Sequence, residues 1–326
     1  MTAILKTRIK RFTGPLIQSN YLYQTLKGSA YLKGGDPFDI TKRQTKTGIQ
    51  FTPRYYQVTV TEFLEDLEVE MAGERAAFST LKTDLAEAAL TLSGILEIAF
   101  YHHGQNLGAG NNRIAEVNGL EEFYADGTTT TWSGVSAFPT YGQQTRADVN
   151  SALNTRAGLI GMNAGPTCNF RALEHTHLST WIGRERAKFG ITTTRCLGFI
   201  AENFLPHQKI DVIDPEINWP GFKFNNATIV AGNYVPGQDG IDHAVLGDCL
   251  TNSTIGETFW WVNPGPPNPE EAYFLLAIAQ SAKFAFGWTG FKGARADNQY
   301  SGQVLVALNL IGRAPRFGRQ LYGFTR

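Results

Sequence analysis

The side chains able to do chemistry are few, and their spacing assembles no reaction centre. His102 and His103 are adjacent near the end of a predicted helix. Neighbouring helical residues face different sites, so a metal pair is a weaker reading than two histidines favoured by a helix C-terminus. His175 and His177, with Cys168 nearby, offer zinc-ligand types, but an H-x-H spacing in a helix splits the two rings and no fourth ligand follows. A glycosidase needs two carboxylates across a cleft. The pairs Glu65-Asp66, Glu121-Glu122 and Glu270-Glu271 could supply them, yet such pairs are ordinary on solvated faces. Trp260-Trp261 suits either a carbohydrate platform or interior packing. Arg313, Arg316 and Arg319 could meet phosphate, although a solvated turn or a salt-bridged subunit surface fits better. No phosphate loop, dinucleotide fingerprint, nucleophile elbow, HExxH or CxxC pair is present. The expectation is a non-enzymatic protein with no catalytic residues, cofactor or metal.

The elements around these residues are of mixed type. Residues 1–27 are basic with interleaved apolar residues, and Gly14-Pro15 interrupts any helix, so they read as an extended arm. Residues 28–56 are rich in Lys, Thr and Gly around the turn Gly34-Gly35-Asp36-Pro37. They read as a projecting hairpin that needs a partner surface. Tyr55–Thr61 is a strand by its β-branched and aromatic content. Glu74 to about His103 has helical periodicity through Phe78, Leu81, Leu85, Leu92 and Leu96, with Gly104 as its stop. That helix would span roughly 45 Å and organise the subunit. Phe170–Lys188 reads as a second helix with Leu173, Leu178, Trp181 and Ile182 on one side. From Thr192 to Ser281 the pattern is short strands, including Cys196–Ala201, and Gln303–Phe324 returns as strand, turn, strand to the first sheet. The fold class is α+β.

Composition sets further bounds. With 42% hydrophobic and 18% charged residues in 326, the chain is globular, with length for one large or two joined domains. Basic and acidic residues balance at 29 each, but in blocks: +8 over 1–56, −7 over 57–104, −8 over 200–282 and +6 over 283–326. Segregated charge suits a surface that complements another copy of itself. Cys168, Cys196 and Cys249 are odd in number and lack motif spacing, as expected of reduced thiols in a cytosolic product. The N-terminus has no signal-peptide core, and the most apolar stretch, Ala88–Tyr101, is short and carries Glu97, so no membrane span is expected.

Several stretches, in order, resemble the tailed-bacteriophage major capsid proteins of the Hong-Kong-97-type fold. They are Tyr55–Thr61 followed by Glu74–His103 and Gly104; Gly119-Leu120, Tyr141-Gly142 and Arg146; Gly221–Phe224 with Ile229-Val230 and Pro236-Gly237; and Ala314–Gly318 with Leu321 and Gly323. The resemblance spans nearly the whole chain. It implies an N-terminal arm at 1–27, an E-loop at 28–56 and a peripheral domain at 57–195 carrying a spine helix. A β-rich axial domain would follow at 196–295, with peripheral return strands at 296–326. It implies a shell of hexamers and pentamers enclosing double-stranded DNA by non-specific contact. A portal protein, a scaffolding protein and in some relatives a decoration or cement protein would be partners. No charged helical extension precedes the arm, so scaffolding is expected to be a separate protein. Location would be the virion, with assembly in the host cytoplasm. The expected subunit-interface residues are Arg8, Arg11, Phe38, Lys42, Arg43, Lys46, Ile49, Phe51, Arg54, Glu65, Asp66, Glu68, Arg146 and Arg316. Alternatives are a tail or baseplate structural protein and a carbohydrate-active hydrolase.

Overall fold

The computed structural model describes residues 1–22, 26, 30, 41–42, 44–63, 74–107, 112–125, 127, 131–133, 138–146, 159–161, 170–204, 211–214, 219–237, 257–293 and 299–324. Its strands, in chain order, are β1 (Ile9–Phe12), β2 (Ile17–Leu22), β3 (Lys46–Phe51), β4 (Arg54–Phe63), β5 (Thr140–Tyr141), β6 (Gln144–Thr145), β7 (Leu159–Gly161), β8 (Phe189–Thr192) and β9 (Asp211–Asp214). They continue with β10 (Trp219–Phe224), β11 (Ala227–Ala231), β12 (Glu257–Val262), β13 (Phe274–Ala279), β14 (Ala285–Trp288), β15 (Lys292–Gly293), β16 (Gln299–Gly312) and β17 (Arg319–Phe324).

The first sheet is organised on β16. One edge of that strand pairs antiparallel with β4, from Gln299↔Phe63 to Leu308↔Arg54. The other edge takes β15, β14 and β13 in succession, and β1 adds parallel to β13. Strand alternation divides β4 cleanly. Tyr56, Val58 and Val60 turn inward, while Tyr55, Gln57, Thr59, Thr61 and Phe63 are exposed. The long helix, Glu74–Ala99, packs on the inward side. Its Ala88, Leu92, Leu96 and Ala99 are buried, at the three- and four-residue spacing of one face.

That helix ends at Ala99, four residues short of the expected His103, and Gly104 is not its cap. Its last turn is closed by the chain coming back: Leu120 N–H donates to Phe100 O at 2.8 Å. Only glycine fits at 119, where a Cβ would lie 2.2 Å from His102 O and 2.7 Å from Phe100 O.

The second sheet runs β7-β17-β12-β8-β11-β10-β9. Its central strands are buried on both faces, which is why Glu257–Val262 is continuously apolar after its first two residues. Trp260 and Val262 point to the core shared with the long helix and first sheet. Phe259 and Trp261 point to a second core beneath the helices Phe170–Ser179 and Thr194–Phe204. The two tryptophans are therefore interior packing, each ring removing about 200 Å² from water, roughly 5 kcal/mol of transfer free energy at 25 cal/mol/Å².

The observed elements differ from the sequence reading at several points. The second helix stops at Ser179, and its buried side is Leu173, Thr176 and His177, with Leu178 and Trp181 turned outward. Cys196–Ala201 is helical, because Thr193 caps the segment: its Oγ1 accepts from Cys196 N–H at 3.1 Å. The hairpin stem pairs β2 with β3, from Ile17↔Phe51 to Leu22↔Lys46, so it begins inside the segment assigned to the arm. The C-terminal segment does not return as a unit. β16 closes the first sheet, but a turn at Pro315–Phe317 carries β17 into the second, between β7 and β12. Likewise β13, β14 and β15, placed in the axial segment by sequence, belong to the first sheet.

We expect Leu92→Asp to abolish soluble folding, since Leu92 is 0% exposed and an unpaired buried carboxylate costs several kcal/mol. Leu85→Asp, at a half-buried position, should cost less. Leu90→Asp, at 74% exposure, should leave the thermal midpoint within about a degree or two. Soluble yield and thermal melts of the three variants check this ranking.

Candidate assembly surfaces

The first twelve residues do not reach away from the body. Ile4 and Leu5 lie in the core, β1 is a strand of the first sheet, and the Met1 amine pairs with Glu97 at 3.0 Å. Arg8 is fully buried. It donates to Ile4 O (2.7 Å), Gly265 O (2.9 Å) and Pro266 O (3.2 Å), tying the N-terminus to the proline-rich loop. Within the chain the guanidinium thus satisfies loop carbonyls that have no strand partner.

Other residues expected at an interface also make contacts within the chain. Ile49 and Phe51 are buried, Phe51 edge-on to Tyr141 at 5.2 Å. Arg54 donates to Gly104 O at 3.0 Å. Arg146 donates to Glu122 O and lies 5.3 Å from the Tyr141 ring centroid. Arg316 is buried with its guanidinium 4.7 Å over the Phe317 ring. The run Arg313, Arg316, Arg319 is not a solvated turn either, because Arg319 donates to Ser179 O, Ser179 Oγ and Gly318 O. Of the remaining expected residues, Arg11 is exposed but donates to Ala279 O at 3.2 Å, Lys42 and Lys46 are exposed, and Phe38, Arg43, Glu65, Asp66 and Glu68 lie outside the described residues.

Among the described residues, two exposed surfaces lie beside the hairpin stem and on the first sheet. One is the β2–β3 stem, held to the body by Gln50 N–H on Gly142 O (3.0 Å) and Gln144 Nε2 on Gly48 O (3.0 Å). Between it and the Glu270–Tyr273 loop lies an open cavity of about 680 Å³. The other is the outer face of the first sheet, where Tyr55 (66% exposed), Phe63, Phe284 and Phe286 stand clear, Tyr55 edge-on to Phe284 at 5.8 Å. Sequence reading missed these aromatics. The alternation in Arg54–Phe63 was the available signal, since it sends every odd position to one face.

Glu121 and Glu122, expected on a solvated face, are instead fully buried. Glu122 accepts from Gly104 N–H, Gln105 Nε2 and Asn118 Nδ2 (3.2, 2.7 and 2.8 Å). Thr131 and Ser133 hydroxyls donate to Glu121. Burial pushes the Glu121 carboxyl up to about 7 against these bonds, and raises Glu122 as well. His102 packs on Trp132 and His103 on Phe138. Burial, aided by Arg113, holds His102 well below the imidazole range and His103 at about 4. They are neutral packing residues, not cationic caps of a helix C-terminus. Among the described residues no group of three or more His, Cys, Asp or Glu could hold a metal ion, and no helix is long and apolar enough to cross a membrane.

No model of a known family matches the sequence, and no curated protein matches it. Solved structures do match. The cyanophage A-1(L) capsid asymmetric unit is 12% identical with a TM-score of 0.60, over 100% of this chain and 92% of that one. The capsid of a native GTA particle is 10% identical with a TM-score of 0.55, over 100% and 91%. The SrpI encapsulin of Synechococcus elongatus is 9% identical with a TM-score of 0.52, over 98% and 87%. The chain has the Hong-Kong-97-type capsid fold, an α+β architecture.

Glu121 has a folded pKa raised above its ordinary 4.5. It therefore costs nothing below about pH 4.5, and its penalty grows as pH rises toward 7, to a limit of roughly 3 kcal/mol. Glu121→Gln should remove that fall, so the difference between wild-type and variant stability should change between pH 4.5 and 7 and stay flat above. His102 and His103 act oppositely, losing stability as pH falls below about 6.5, and they cancel in that difference. Chemical denaturation of both proteins across pH 4.5 to 8.5 measures it.

Proposed function

We propose that this chain is the major capsid protein of a tailed bacteriophage, a non-enzymatic subunit that assembles with copies of itself into an icosahedral head. The observation that carries the reading is end-to-end correspondence with shell subunits: all of this chain aligns with 92% of the cyanophage capsid chain at a TM-score of 0.60. In this reading the first sheet and long helix form the peripheral part, and the second sheet with its two helices the axial part. The β2–β3 hairpin is the E-loop stem. Lys42 and Lys46, both exposed, meet a neighbour there, and the basic sequence block that includes Arg43 is complementary to the acidic block with Glu65, Asp66 and Glu68. Apolar contact supplies most of the affinity, and charge sets register. Hexamers and pentamers form the shell, a separate scaffolding protein and a portal guide assembly in the host cytoplasm, and packaged DNA is met without sequence readout.

The hydrolase alternative loses its motive, because both residues of the Trp260-Trp261 pair are 0% exposed. No observation favours a tail or baseplate role.

Negative-stain microscopy of the expressed protein, with and without the scaffolding protein, should show closed spherical shells; rings, tubes or a small discrete oligomer would sink the reading. Lys42→Glu combined with Arg43→Glu should leave the thermal midpoint of the subunit nearly unchanged, since Lys42 is exposed. Sedimentation should show a sharp, salt-dependent loss of particles. Normal assembly at every ionic strength would refute the electrostatic part.

A further inference from the structure

Nearly every arginine whose side chain is described is engaged inside the chain. Arg8, Arg11, Arg54, Arg146, Arg313 and Arg319 donate to carbonyls. Arg113 and Arg195 meet carboxylates, and Arg316 is buried against Phe317. Two are left over, Arg184 and Arg186, and both lie on one turn.

That turn follows the Phe170–Ser179 helix. Ile182 and Glu185 exchange backbone hydrogen bonds (3.0 and 3.2 Å) around Gly183, whose φ of 67° lets the chain reverse in two residues. Arg184 stands exposed at the tip, and Lys188 is exposed just beyond. Arg186 folds across the turn and places its guanidinium 5.3 Å from the centroid of Trp181, itself 45% exposed. The stack orients the guanidinium without neutralising it. Glu185, the only acid in the segment, is held by Asn263 Nδ2 at 3.1 Å. Among the described residues no carboxylate pairs with Arg184, Arg186 or Lys188.

We infer that the Arg184–Lys188 turn, with Trp181 positioning Arg186, is a contact for the phosphate backbone of double-stranded DNA. The inference rests on the shell reading, in which enclosed DNA is the polyanion present in excess. Three cations within five residues at and just after one turn, one of them a planar guanidinium stacked on a half-exposed ring, match phosphate oxygens in charge and geometry. The contact carries no base readout, so affinity is weak and salt-dependent.

The test is fluorescence anisotropy of a labelled 30-base-pair duplex titrated with the purified full-length chain at several salt concentrations. The triple variant Arg184→Ala, Arg186→Ala, Lys188→Ala should bind at least tenfold more weakly at low salt. It should also lose up to about three from the slope of log affinity against log salt, about one per cation. Its thermal midpoint and particle morphology should match wild type. If the triple variant folds poorly, Arg184→Ala alone, at the exposed tip, should still lower the slope by about one. Unchanged affinity and slope would overturn the inference. So would competition by polyglutamate as effective as duplex at equal charge, which marks an acidic protein partner, or loss of particles with duplex binding intact, which marks a subunit contact. Absence of shells from the wild-type protein would count against the capsid reading instead, while the anisotropy result would still decide what the turn binds.

Discussion

The structure depends on a fourteen-residue strand having both of its edges occupied. β16 receives ten residues of β4 on one edge and three shorter strands in series on the other. From Gln299 to Leu308 one edge is paired without a break, and most of the other edge is paired too, so the N-terminal and C-terminal parts of the chain cannot separate without opening this ladder. Asn309 reinforces the point where it enters the core: its side chain donates to Thr52 O and Asn118 Oδ1, and accepts from Asn118 N–H. At the far end Gly312 lies against the Phe123 ring so closely that a Cβ would sit 2.0 Å from it. The strand is thereby locked to the turn that caps the long helix.

From there the chain must cross to the second sheet, and arginine makes the crossing possible. Irregular segments leave carbonyls with no ladder partner, and a guanidinium can serve two or three at once. Arg313 donates to the Pro269, Glu270 and Ala272 carbonyls and to Ser19 Oγ. Arg319 donates to those of Ser179 and Gly318. Arg8 does the same for the loop at Gly265 and Pro266. Much of the positive charge that in sequence looks like an external binding surface is therefore internal structure, which is what makes the free cations of the Arg184–Lys188 turn stand out.

Among the described residues two features stay uncovered. The hairpin stem is two-stranded and rests on the body through few backbone bonds. An isolated two-stranded hairpin is marginal in water. The outer face of β4 exposes two aromatic side chains in a row of Thr and Gln. The buried carboxylates and imidazoles near Glu121 pack the loops around the helix end.

Local pattern in the sequence was enough for the elements whose signal is periodic. The inward face of Glu74–Ala99 through Ala88, Leu92 and Leu96, the alternation of Tyr55–Thr61 and the fully apolar run ending at Val262 each follow from side-chain spacing alone. The order of elements sufficed for the α+β class and the capsid resemblance. What only the tertiary structure decided was the fate of polar and charged groups. Glu121 and Glu122 read as solvated, and Arg8, Arg146 and Arg316 as interface residues, because charge predicts exposure unless a partner distant in sequence removes the need for water. Those partners are 257 residues away for Arg8 and 24 for Arg146. The same holds for β17: its residues fit either sheet, and the choice was made by the turn at Pro315–Phe317 and by the open edge of β12, neither of which leaves a local trace in the strand itself.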